Sequence, residues 1–165
     1  MKFSDLIPMD EPADSLSVIY GAVMFAVDFC KHFGLNYDLL RLTFEDLPAD
    51  LYGEFFVTGA NIPCLIIDPT KHRGGHAIVS TMEHELRHYW QWTYLPEQWQ
   101  WWADFDVDHN GAFYSTVHNP IEYDARRYSG QNHGEKRDRH ITVTQLRAEC
   151  ARERQYVMSA EKEVM

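Results

Sequence analysis

The segment His84-Glu85-Leu86-Arg87-His88 restricts this chain more than any other part of it. On an α-helix, two histidines four positions apart point the same way, about 40° apart around the axis, so both imidazoles can reach one ion. The fold must therefore run a helix through this stretch and leave one of its faces to a ligand. The surrounding residues supply that helix. From about His76 to Thr93, Ile78, Val79, Met82, Leu86, Tyr89, Trp90 and Thr93 fall on one side, and His84, Glu85 and His88 fall together on the other.

An H-E-x-x-H on a helix predicts a zinc site held by His84 and His88. Glu85 is rotated about 100° from His84, which takes it out of the coordination shell but within reach of a water on the metal. Zinc lowers the pKa of such a water towards about 7. A carboxylate beside it can take the proton and later deliver it to a leaving amine. Glu85 is thus the expected catalytic residue, Zn2+ the expected cofactor, and peptide-bond hydrolysis the expected reaction on a peptide or protein substrate.

The rest of the chain reads as a single domain of 165 residues. Residues 1–13, with Pro8 and Pro12, read as an irregular arm. Asp14-Ser15 caps a helix that runs to about His32 and stops at Gly34. Leu40–Phe44, Tyr52–Thr58 and Pro63–Asp68 read as strands, the last two joined by Gly59-Ala60-Asn61 as an antiparallel hairpin. Residues 94–118 read as aromatic and irregular, and Asp104-Phe105-Asp106-Val107-Asp108 as an acidic surface loop. Asn119-Pro120 opens a helix that Gly130 closes. Residues 131–140 read as a polar loop and Thr142 to about Ser159 as a last helix. The expected class is α+β: a small antiparallel or mixed sheet packed on the N-terminal helix and the H-E-x-x-H helix, with a later helix bearing the third ligand.

Composition narrows the partners. Lys and Arg total 15 against 25 Asp and Glu, a formal charge of −10. That disfavours nucleic acid and anionic membrane surfaces, which need a basic footprint. Cys30, Cys64 and Cys150 fit neither a disulfide framework nor a CxxC zinc site, and the expectation is idle thiols in the cytoplasm. The start of the chain lacks the charged n-region and apolar core of a signal peptide. The apolar run Val18–Val27 is too short to span a bilayer and reads as a buried helix.

The order of strand, hairpin strand ending in Leu65-Ile66-Ile67-Asp68, short loop and Ile78–His88 resembles the core of the small zincin metallopeptidases. The ImmA/IrrE-type and SprT-like groups are similar in layout over about residues 38–130. The longer H-E-x-x-H-x-x-G-x-x-H pattern of metzincins fails here, since Gln91 stands for the glycine and Tyr94 for the third histidine. Resemblance to the gluzincin branch implies a glutamate from a later helix. Asn119-Pro120-Ile121-Glu122-Tyr123-Asp124-Ala125 is similar to that branch's E-x-x-A pattern and implies Glu122 as third ligand. Its alternative role is to cap its own helix. Asp124, about 200° around that helix, is the next candidate, followed by Asp108, His109 and His118.

Other roles stay open. Tyr114, His118, Tyr123 and Tyr128 are candidates to stabilise an oxyanion. The tryptophans Trp90, Trp92, Trp99, Trp101 and Trp102 line a groove or fill a core. A substrate would lie extended along a sheet edge beside the catalytic helix. Two other functions fit the residues less closely. One is a zincin-fold binding or regulatory protein without significant turnover. The other is an acidic protein that mimics nucleic acid. His32, His72, His76, His133 and His140 read as ordinary surface or loop residues.

Overall fold

A computed structural model describes residues 10–108, 119–130 and 141–164. The helices are α1 (Leu16–Phe33), α2 (Gly75–Tyr94), α3 (Pro96–Asp108), α4 (Pro120–Ser129) and α5 (Val143–Val164). The strands are β1 (Arg41–Phe44), β2 (Gly53–Val57) and β3 (Pro63–Ile67). The protein is therefore α+β with a small mixed sheet. The chain divides into two compact units, Met1–Tyr89 and Trp90–Met165, with the boundary inside α2.

The first unit holds α1, the sheet and most of α2. The α1 helix starts where Ser15 accepts a hydrogen bond from the Val18 amide, and ends at Gly34, whose φ of 67° is the left-handed cap that glycine supplies cheaply. Among the described residues α1 is the one helix long and apolar enough to cross a membrane. Val18, Ala22, Phe25, Ala26 and Phe29 of this helix are nevertheless buried in the protein's own interior.

The strand order is β1-β3-β2. The pairing of β2 with β3 is antiparallel, with Phe55 opposite Leu65, and that of β1 with β3 is parallel, with Leu42 opposite Leu65. The hairpin turn is longer than its glycine suggests. Residues 58–62 connect the strands, Thr58 bonds Ile62 and Asn61, and Asn61 takes the left-handed conformation at φ 59°. Asparagine tolerates that region best after glycine.

Asp68, at the end of β3, organises the neighbouring loops. Its buried carboxylate accepts from the amides of Leu47 (2.8 Å) and Thr70 (3.0 Å) and from the Thr70 hydroxyl (2.6 Å). The Lys71 ammonium lies 3.5 Å away and also donates to the carbonyls of Leu47, Pro48 and Leu51. The Leu47 amide, then the Thr70 hydroxyl and amide and the Lys71 charge, hold the Asp68 pKa down at about 2, against 3.8 ordinarily. Folding therefore favours the ionised form. That stability is fully present above about pH 4 and is lost as pH falls through about 2. Asp68→Asn is expected to be less stable at neutral pH and to show a flatter fall between those values, measured by denaturant midpoints across pH.

The second unit begins with the last turn of α2. Pro96, lacking an N–H and disfavouring helical geometry at Leu95, ends α2 and starts α3. The stretch expected to be irregular is thus helical from Pro96 to Asp108, and the acidic run Asp104–Asp108 is its last turns, not a loop. Its tryptophans and aspartates alternate too closely to show a clean helical stripe. The rings of Trp101, Trp102 and Phe105 hold together instead, with centroids 4.8–5.4 Å apart. The α4 helix packs on α3 and α5. The α5 helix opens on a reciprocal cap, in which the Gln145 amide donates to Thr142 Oγ1 (3.1 Å) and the Thr142 amide to Gln145 Oε1 (2.8 Å). It runs to Val164, beyond the expected Ser159.

Cys30, Cys64 and Cys150 are free and buried. Burial pushes the thiols of Cys30 and Cys150 up to about 12.

Candidate metal centre

The middle of α2 departs from an ordinary amphipathic helix. Every residue from Thr81 to Trp90 is buried, including Glu83, His84, Glu85, Arg87 and His88. Isolated charges in such a place cost several kcal/mol unless they are paired or bind a metal. The apolar side carries Ile78, Met82, Leu86 and Tyr89 into the core, as the periodicity predicts. The polar side is covered as well.

On that side the Nε2 atoms of His84 and His88 are 3.2 Å apart, with the two rings nearly perpendicular at 82°. Two nitrogens about 2.0–2.1 Å from one tetrahedral zinc would be separated by about 3.3–3.4 Å. The separation of the two imidazole nitrogens is therefore close to the one a shared ion requires.

The β2 strand sets this helix face. Gly53 and Phe55 are two apart and so share one side of the strand. Phe55 stacks on the His88 ring at 6.5 Å and packs against Tyr89 at 5.9 Å, and Tyr89 donates to the Asn36 carbonyl (2.7 Å). Gly53 lies against Thr81 and Glu85. A Cβ at Gly53 would meet Thr81 Cγ2 at 2.7 Å and Glu85 Cγ at 3.1 Å. Thr81 is β-branched and stiff on a helix, so it cannot yield cheaply. Gly53→Ala is expected to cost about 1–3 kcal/mol of stability, by the strain of overpacking. Its denaturant midpoint should fall while its slope is kept.

A second device fixes the start of the helix. His72 Nδ1 lies 2.7 Å from the Asp68 carbonyl, and its Nε2 lies 2.8 Å from Thr81 Oγ1. A carbonyl only accepts, so Nδ1 carries the proton, and Nε2 of the neutral ring accepts a hydrogen bond from the Thr81 hydroxyl. Burial lowers the His72 pKa below its ordinary value and keeps the ring neutral. His72 is therefore a brace between the β3 end and α2, a role that reading it as an ordinary loop residue missed. A glycine inside a strand was the available signal for Gly53. Nothing local marks His72.

In the second unit, α4 is attached to the end of α2. Gln91 is fully buried, and its Nε2 donates to the Ile121 carbonyl (2.9 Å) and to Asp124 Oδ2 (2.8 Å). Asp124 Oδ1 accepts from Arg127 (3.1 Å), which also reaches Glu149 of α5 at 3.7 Å. The buried Asp124 is thereby committed to bracing α4, and Gln91 holds the first turn of that helix.

Asn119 caps α4 by accepting from the amides of Ile121 (3.0 Å) and Glu122 (3.2 Å), and its own amide donates to Asp106 (2.8 Å).

His84, His88 and Glu122 form a group that could hold a metal ion, each offering one donor atom within 4.8 Å of the others. Asp108 is an exposed residue at the end of α3. His109, Tyr114 and His118 lie outside the described residues. Of the candidate oxyanion donors, Tyr128 is buried and Tyr123 lies under the Arg127 guanidinium at 5.3 Å. The chain matches no protein-family model, no curated protein and no solved structure.

Proposed function

We propose that this protein is a zinc-dependent metallopeptidase of the gluzincin type. The observation that carries the reading is the His84–His88 pair, 3.2 Å apart at Nε2 on a buried helix that also bears Glu85. Glu122 is the third ligand in this reading, supported by its donor atom lying within 4.8 Å of those of the histidines. Two imidazoles and one carboxylate are a donor set that catalytic zinc takes, with one position left for water.

Bound zinc would supply a Lewis acid and lower the pKa of a water towards about 7. The chain's own residues do the rest. Glu85 accepts a proton from the attacking water at its carboxylate and returns it to the amine nitrogen as the C–N bond breaks. Gly53 admits the Glu85 stem against β2, and the His72–Thr81 contact holds the turn that precedes it. The β2 strand is an edge of the sheet, so an extended peptide can pair along it beside α2. The substrate class is a peptide or protein in extended conformation.

Zinc titrations of Glu122→Ala and Asp124→Ala test the ligand set. Wild type is expected to carry about one zinc per chain, as an H-E-x-x-H site implies. Glu122→Ala should weaken zinc binding by well over the 10–100-fold typical of losing a supporting residue. Asp124→Ala should keep the site in first approximation and instead lose stability by about 1–3 kcal/mol, through the partners it leaves in Gln91 and Arg127. A reversed ranking in zinc affinity would remove Glu122 from the site.

A further inference from the structure

A second feature lies wholly within the second unit. A cavity of about 470 Å³ runs between α3 and α5. Its volume is in the range of binding pockets, about 300–1,000 Å³. Trp101 and Trp102 line it from α3, and Arg147, Arg154, Met158 and Lys162 line it from α5. Among the described residues Glu97 is the one acidic residue along it. In a chain of net charge −10, a groove with three cations and one carboxylate runs against the overall balance.

The cations are placed for use. Arg147 and Arg154 are seven positions apart, and Lys162 follows eight later, so all three fall on one side of α5. At 1.5 Å per residue the row extends over about 22 Å of helix. None of the three makes an ion pair among the described residues. The Arg154 guanidinium lies 4.7 Å from the centroid of the Trp101 ring, which in turn stacks on Phe105 at 5.4 Å and 16°. A guanidinium laid on an indole keeps its in-plane N–H donors free and aimed outward. Trp102 is buried and fixes the floor, while Met158 stays largely exposed. Rigid tryptophan, arginine and methionine are the residues enriched at the centres of protein interfaces.

We infer that this groove is a docking site for an acidic peptide segment of a partner protein. Cations repeated over about 22 Å exceed the reach of one small anion and match carboxylates repeated along a chain. The apolar floor takes an aliphatic or aromatic side chain between them. The inference goes beyond the metal reading and does not depend on it.

The test uses the whole 165-residue chain in EDTA and a short fluorescein-labelled peptide alternating glutamate and leucine, followed by fluorescence anisotropy. Binding is expected to weaken steeply as salt is raised towards about 1 M, where the screening length is about 3 Å. It should also fall about tenfold or more when glutamine replaces glutamate in the peptide, or in the variant R147E/R154E/K162E. All three positions are exposed, so this variant should melt like wild type. If it does not fold, Arg154→Glu alone decides, by the same loss. Several outcomes overturn the proposal: no binding to wild type, equal binding of the glutamine peptide, or equal binding to a folded charge-reversed variant. A groove that takes indole-3-acetate but not the peptide is a small-anion pocket. Self-association of wild type that the reversal abolishes identifies a second copy as the occupant. No metal and no turnover enter the measurement, so its failure leaves the zinc reading as it stands.

Discussion

Glu85→Gln is expected to retain zinc while hydrolysing peptides about 10²–10⁴-fold more slowly than wild type, the range that a positioned proton-transfer group contributes. The replacement keeps the shape of a buried side chain whose stem lies against Gly53. It removes the ability to accept a proton from water and nothing that holds the ion. Zinc content by atomic absorption and cleavage of a peptide library by mass spectrometry separate the two properties. Unchanged cleavage in the variant would assign the proton step elsewhere. A wild type that holds zinc but cleaves nothing across a broad library would leave a zincin-fold binding protein.

The other large effect is expected from His84→Ala and His88→Ala. Each removes one of the two imidazoles whose nitrogens lie 3.2 Å apart, and each should lose zinc at concentrations that saturate wild type. Thermal melts give an independent measure. With free zinc at a hundred times its dissociation constant, wild type should gain about 2.7 kcal/mol by linkage, and the two variants nothing. Equal gains in all three proteins would mean that zinc binds elsewhere. An acidic protein acting as a nucleic-acid mimic, with the histidines incidental, predicts no gain in any of them.

Local signals explain which parts of this structure were readable in advance. Ser15 and Gly34 bound α1, and Asn119, Pro120 and Gly130 bound α4, because capping is decided within a few residues of the chain. The helical period of α2 placed His84, Glu85 and His88 on one face for the same reason. The α3 helix was hidden because its aromatic and acidic residues do not segregate at helical spacing, and its order comes from ring packing. The parallel pairing of β1 with β3 crosses the chain and leaves no local trace. Burial of the polar face of α2 was equally invisible, since that face alone looks solvated. Gln91 shows the limit most directly. In the sequence it is the residue that breaks the longer histidine pattern. In the fold it is buried and bonded to Ile121 and Asp124, at the turn that carries Glu122.

The three buried cysteines give the protein a set of internal clocks. Cys30 and Cys150 stay protonated at neutral pH, all three side chains are buried, and Cys150 is only 2% exposed although it borders the groove between α3 and α5. Alkylation must then wait for local or global opening. Cys30 on α1 and Cys64 on β3 report on the first unit, and Cys150 on α5 reports on the second. Peptide mapping of the modified sites over time would read the opening of each unit separately in one tube, without a probe being introduced. The same shelter keeps the thiols from competing for zinc, so the metal-to-chain ratio of the native protein counts the histidine site.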